Sequence, residues 1–291
     1  MGNQDPPKSS ATSMSGITIN TPETNNDPPT APTSPTLLQK TWTHLLQPIP
    51  PSLQVELLLL LLTFSIGLQD AISFYDFNCF ASNQTGNTVL IIIAMVLPEL
   101  NGQIFDTSHT AVALSFFLLS AYLTGQVANL FGFSPRNRLF LILCNLIQTG
   151  LVFAAAAVQY VYGVTPRGSI HTLFAIGLLA TAAGSQVVQS RSFKMTEIST
   201  AMATAAWVDL VIDKDLFKKQ NRARNRRIAF LATLALGTLA GAFIFKTVGS
   251  PAALAVSGAG KGLVTLLWCF ASGEREKEEE KKNKEEGKEG V

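Results

Sequence analysis

The chain has 291 residues, 47% of them hydrophobic and 14% charged, with a formal net charge of +2. The mean hydropathy of +0.27 understates a very apolar middle, because both ends are polar and dilute it. Three cysteines, Cys79, Cys144 and Cys269, stand far apart in apolar surroundings with no CxxC pairing. That excludes a disulfide framework or a cysteine metal site and reads them as small buried hydrophobes.

From Met1 to about Thr36 the chain is rich in Pro, Ser, Thr and Asn and has few large apolar residues. It cannot bury enough surface to offset the entropy of ordering, so residues 1–40 are expected to be a disordered cytoplasmic tail. The start lacks the pattern of a signal or transit peptide, and insertion is left to the first spanning helix. A hydrocarbon core about 30 Å thick needs about 20 helical residues. Six stretches qualify: Leu53 to Phe74, Thr110 to Phe131, Leu139 to Val161, His171 to Ser190, Ile228 to Val248 and Ala252 to Ala271. Six such stretches in sequence leave no amphipathic helices to face water, which excludes a soluble globular domain. Two shorter stretches, Thr85 to Leu97 and Thr196 to Ile212, are expected to enter the membrane partway as half-helices.

With six full spans, the basic clusters Arg136 with Arg138, Arg191 with Lys194, and Lys214 to Arg227 all fall on the cytoplasmic side. Arg167 is the main exception. Residues 273–291, almost wholly Glu, Lys, Arg, Gly and Asn, read as a charged cytoplasmic tail. The transmembrane domain is then 41–272. The expected fold is an all-α polytopic membrane protein of about six transmembrane helices plus two short half-helices.

An internal repeat is expected, with halves at about 53–161 and 171–271. Gly67-Leu-Gln-Asp-Ala precedes Thr85-Gly-Asn as Gly184-Ser-Gln-Val-Val precedes Thr204-Ala205, at offsets of 117 and 119 residues. Three spans per half would invert one half relative to the other, an arrangement recurrent in secondary transporters.

The run Gly67-Leu-Gln-Asp-Ala-Ile-Ser-Phe followed by Asn83-Gln-Thr-Gly-Asn-Thr-Val resembles the signature of the YoaK-like membrane family, the domain-of-unknown-function 1275 family. The resemblance covers roughly residues 50–272. It implies a membrane protein of about six spans and supplies no activity, cofactor or catalytic residue. Thr204-Ala205 stands where the family usually carries Thr-Gly.

Asp70 lies inside the hydrophobic length of the first span, where an ionisable group costs about 2.5–3.5 kcal/mol and usually faces a cavity or partner. It reads either as a proton or cation site or as an interfacial cap. Asn83, Thr85, Gly86 and Asn87 offer amides, a hydroxyl and a freed backbone at a half-helix start, suited to an anion or a polar solute group. Their packing alternative is helix contact through Gly86 and cross-helix bonds. Asn83-Gln84-Thr85 also matches a glycosylation sequon in a sterically poor place. In the second half the counterparts are Gln186, Thr204 and Asp209, with Gln189 beside them and Glu197 as a half-exposed acid.

Lys214 to Arg227 is expected to meet anionic lipid, and with Phe217 as its one interleaved aromatic it does not suit nucleic acid. His44, His109 and His171 fall near span ends and read as interfacial. Neither a metal set nor a nucleotide or nucleophile motif appears, so no cofactor and no enzymatic activity are expected. The functional expectation is a secondary transporter or permease for a small polar or ionic solute. The alternative is a non-transporting membrane component that binds lipid or a protein partner. Of the cellular membranes, the plasma membrane is the expected one.

Overall fold

The computed structural model describes residues 36–130, 134–163 and 169–273. Most of the two expected tails, and Arg167, lie outside the described residues. In chain order the helices are α1 (Leu37–Leu46), α2 (Leu53–Phe77), α3 (Gln84–Val96), α4 (Thr107–Leu130), α5 (Arg138–Tyr162), α6 (Ile170–Ser192), α7 (Ala203–Val211), α8 (Arg222–Thr247) and α9 (Ser250–Cys269). A 3₁₀ turn at Pro98–Leu100 follows α3. Six of the helices, α2, α4, α5, α6, α8 and α9, are long and apolar enough to cross a membrane. The protein is an all-α, multi-pass membrane protein.

Polar residues at the boundaries set the spans. The Ser52 hydroxyl accepts from Val55 N at the start of α2, and Asn78 ends that helix in the left-handed region at φ 51. The Asn221 side chain accepts from Arg224 N at 2.9 Å to start α8. Helix α1 departs from expectation, since residues up to 40 were assigned to the tail. Thr36 and Gln39 form a reciprocal capping box there. The second short stretch also differs, being helical only over Ala203–Val211. Before it, Ser199 accepts from Met202 N at 3.0 Å and donates to Met202 O at 2.9 Å. This local bonding competes with helix, and Lys194 and Thr200 turn through positive φ, 55 and 60. Of the cysteines only Cys79 is buried; Cys269 is exposed at the end of α9, against expectation.

The spans alternate in direction. At one end the Arg138 guanidinium, fully buried, donates to His44 O at 2.5 Å and to Ala271 O, tying α1, α5 and the end of α9 together. The N-termini of α2 and α8 meet at the same end through Glu56 and Arg226. At the other end Asp76 accepts from Gln159 at 2.9 Å, and His171 stacks on Tyr162. The clusters around Arg138, Arg191 and Arg222–Arg227 thus share one end, called here the basic end. Helices α2 and α6 are the most buried spans, whereas α4 and α8 expose most of their surface.

Helix α2 packs on α8 and α9, α6 packs on α4 and α5, and α5 packs on α9. The short helices α3 and α7 lie against α4 and α8 respectively. Two of these crossings have no room for a side chain. A Cβ on Gly67 would stand 2.6 Å from Leu234 O and 2.8 Å from Thr238 N, and one on Gly237 would strike Phe64 O. In the other crossing, a Cβ on Gly184 would strike Phe117 O and the Ser120 hydroxyl.

Candidate functional site

After α2 ends, the chain does not stay at the surface. Ser82 reaches back to Asp70, seven residues or about 10 Å inside the end of the helix. Ser82 N donates to Asp70 Oδ1 at 3.2 Å, and the Ser82 hydroxyl donates to Oδ2 at 2.5 Å. Ala81 N donates to the Ser73 hydroxyl at 3.2 Å. Helix α3 then starts at this depth and leads outward to the turn at Pro98. A second, shallower turn lies at the basic end, after α6 ends at Ser192. Ser190, inside α6, donates to Ser199 O at 3.5 Å and accepts from the Thr200 hydroxyl at 3.5 Å, and α7 starts from the turn beyond.

The two inward-starting helices face one cavity of about 1050 Å³. Asp70, Ala71 and Phe74 of α2 and Ser82 to Thr85 line one end. Val187, Val188 and Arg191 of α6 and Ala201 to Ala205 line the other, with Phe117, Ala121, Leu234 and Thr238 as side walls. Its charged groups are Asp70, Arg191 and Asp209. Arg191 donates to Met202 Sδ at 3.0 Å, and Asp209 lies 3.7 Å from Arg227.

Of the residues singled out in the sequence, Asp70, Asn83, Thr85, Thr204 and Asp209 come together on this cavity. Gly86, Asn87 and Gln186 do not line it. Asn87 is fully buried and holds the turn, donating to Phe80 O at 2.7 Å and Gln84 Oε1 at 2.8 Å and accepting from Phe80 N at 3.1 Å. Gly86 sits in the first turn of α3 without positive φ, and a Cβ there would meet the Phe80 ring at 3.3 Å. Its role is a tight contact within the turn and not an unwound backbone. Asn83 caps α3, its side chain accepting from Gly86 N at 3.4 Å. Gln186 points into the helix core, donating to Leu62 O at 3.1 Å.

A profile of the family described as proteins of unknown function, DUF1275, matches residues 58–267, from the second turn of α2 nearly to the end of α9. The chain belongs to that family. The matched DUF1275 region contains every residue that lines the cavity and leaves out α1 and Glu56. No curated protein and no solved structure matches the chain. Among the described residues of this DUF1275 protein, no three His, Cys, Asp or Glu side chains are grouped to hold a metal ion.

Sequence reasoning passed over two buried charges. Glu56, 7% exposed, accepts from Arg222 and, at 2.6 Å, from Arg226, which also lies 3.6 Å from Glu197. Asp213 is held below the usual carboxyl range by Asp215 N and the Asn221 amide, with Arg227 at 3.2 Å adding to the effect. Several of the basic residues between Lys214 and Arg227 are thus answered by acids. Lys261, the one charged residue of α9, is fully buried and donates to Gln186 Oε1. A single lysine inside an apolar stretch was the signal that could have revealed it.

Proposed function

We propose that the protein is a secondary transporter, a carrier and not an enzyme, and that it moves a small polar or ionic solute through this cavity. The reading includes an inverted internal repeat relating α2–α5 to α6–α9. The observation that carries it is the pairing of wall positions. Asp70 with Val187, Ala71 with Val188, Phe74 with Arg191, Phe117 with Leu234 and Ala121 with Thr238 each stand 117 residues apart. Ser82 to Thr85 and Ala201 to Thr204 correspond at 119. The crossing glycines Gly67 and Gly184 obey the same offset, as do Gly237 and Ser120. The helix contacts agree: exchanging the halves maps the α2–α8 contact onto α4–α6, α2–α9 onto α5–α6, and α3–α4 onto α7–α8.

Two sets of elements that start inside the bundle from opposite ends and share one cavity suit alternating access, in which one half rocks against the other around a fixed solute. The helix starts supply free N–H groups, Asp70 supplies a charge of opposite sign, and the aromatic and aliphatic walls take a compact apolar body. The basic end faces the cytoplasm in this reading, because positive loops are retained there. The basic residues not answered by acids meet anionic lipid. A thermal-shift screen of metabolite pools on detergent-purified protein tests the reading. A stabilising solute whose effect vanishes in Asp70→Asn is the expected result. If no solute binds, or if binding ignores every cavity residue, the protein is instead a non-transporting membrane component.

A further inference from the structure

Lys261 lies eight residues from the Cys269 end of α9, well inside the span and fully buried. An ammonium carries three N–H donors. Here Nζ donates to Gln186 Oε1, and among the described residues no carboxylate pairs with it. Gln186 in turn donates to Leu62 O at 3.1 Å, so the amine is held between α2, α6 and α9.

One turn before Lys261, Ser257 meets a second buried amide. Gln69 donates through Nε2 to the Ser257 hydroxyl at 2.8 Å, and Ser257 passes its own proton to Ser65 O at 2.8 Å. That leaves Gln69 Oε1 buried and unpartnered. Ser257 is one helical turn before Lys261 on the same face of α9, and long side chains on a helix lean toward its N-terminus. On α5, Asn145 Oδ1 and Gln148 Oε1 are likewise buried and unpartnered. Both lie within the turn before Thr149, whose Cγ2 is 3.5 Å from a Cβ built on Gly262.

We infer that Lys261 is a proton-binding site in the membrane core, a buried amine set beside the Gln186 and Gln69 amides and given one acceptor by the fold. The nitrogen lone pair of the amine takes a proton from hydronium and leaves water. Gln69 and Gln186 stand next in sequence to Asp70 and Val187, which line the cavity. Gln69 and Gln186 are themselves 117 residues apart.

Other charged or titratable groups on the packed helices are engaged elsewhere. Glu56 binds arginines, Asp70 binds Ser82, Asp76 binds Gln159, Arg138 binds carbonyls, Cys144 contacts Ser185, and Arg191 meets Met202. The charges of α8 lie near its two ends. As the coupling site of a carrier, Lys261 rests on the transport reading; as a proton site it does not.

The test needs no solute. Melting of wild type and Lys261→Met is compared in detergent from about pH 9 to about pH 6, a range in which hydrated lysines stay charged. Acidification charges an amine that the folded core supplies with one acceptor, so wild type should lose ground to the variant as pH falls. The loss is up to about tenfold in the folding equilibrium per pH unit. A difference that does not vary with pH overturns the proposal and makes Lys261 a fixed structural tether. Should the variant not fold, lysine ε-carbon NMR on the wild type decides: one resonance titrating in this range supports the site, and none overturns it. Solute binding that fails while Lys261 titrates removes the transport reading and leaves the proton site standing.

Discussion

Gly67→Ala adds one methyl group at the closest helix crossing. Its Cβ would lie 2.6 Å from Leu234 O, 2.8 Å from Thr238 N and 3.0 Å from Gly237 C, where ordinary contact begins at 3.4 Å. All three obstacles are backbone, so no side chain can rotate away, and α8 must retreat by about 0.8 Å along this line. A gap of 0.5–1 Å forfeits about a quarter to a half of the local dispersion energy, and overpacking of this kind costs about 1–3 kcal/mol. Alanine repays about 0.5–1 kcal/mol through helix propensity. The net expectation is a loss of about 1–2 kcal/mol, or about 2–8 °C in melting temperature for a chain of this size. Gly125→Ala is the internal control, because a Cβ there meets nothing within 4 Å. Thermal unfolding of both variants in one detergent reads the difference. A Gly67→Ala protein that melts as high as Gly125→Ala would refute the close crossing of α2 and α8.

Asp70→Asn keeps an oxygen for Ser82 at nearly the same size, so it should fold, reach the membrane and lose pH- or cation-dependent solute binding or uptake. Retention of that dependence would return Asp70 to a purely structural part. A cysteine placed at Asn221, in a cysteine-free background, should react with an impermeant reagent only after cells are opened. Strong labelling of intact cells would turn the molecule over in the bilayer. Glu56→Gln leaves Arg226 and Arg222 facing a neutral amide and should lower stability by about 1–3 kcal/mol. An unchanged melting temperature would mean that the α2–α8 ion cluster contributes nothing.

The spans were legible because bilayer thickness imposes a length that composition alone can meet: Leu53 to Phe74 was expected, and α2 runs Leu53–Phe77. Boundaries set by side-chain bonding were harder to read. Serines and threonines between Thr196 and Met202 form local turns that an apolar count ignores, so α7 begins at Ala203. Helix α1 was hidden because the tail before it is so polar, although Thr36 and Gln39 carry a capping box. The nearness of Asp70 to the start of α3 could be anticipated, since the chain between them is short. The direction of Asn87 could not, because its amide is consumed by Phe80, a partner seven residues away that only the folded turn brings close. Gln186 was singled out by its place in the repeat, but its partners Leu62 and Lys261 lie on other helices.

The burial of Lys261 also bears on how the protein is made. Helices α6 and α9 have the lowest hydropathy of the six spans, 1.4, against 2.2 for α8 and 2.1 for α5. A lysine near the middle of a weakly apolar segment makes entry into bare lipid unfavourable. Its acceptor Gln186 belongs to α6, which precedes α9 in the chain and has left the ribosome first. Helix α9 is therefore expected to enter the bilayer by docking onto a scaffold already in place, which would make its insertion a step of folding as well.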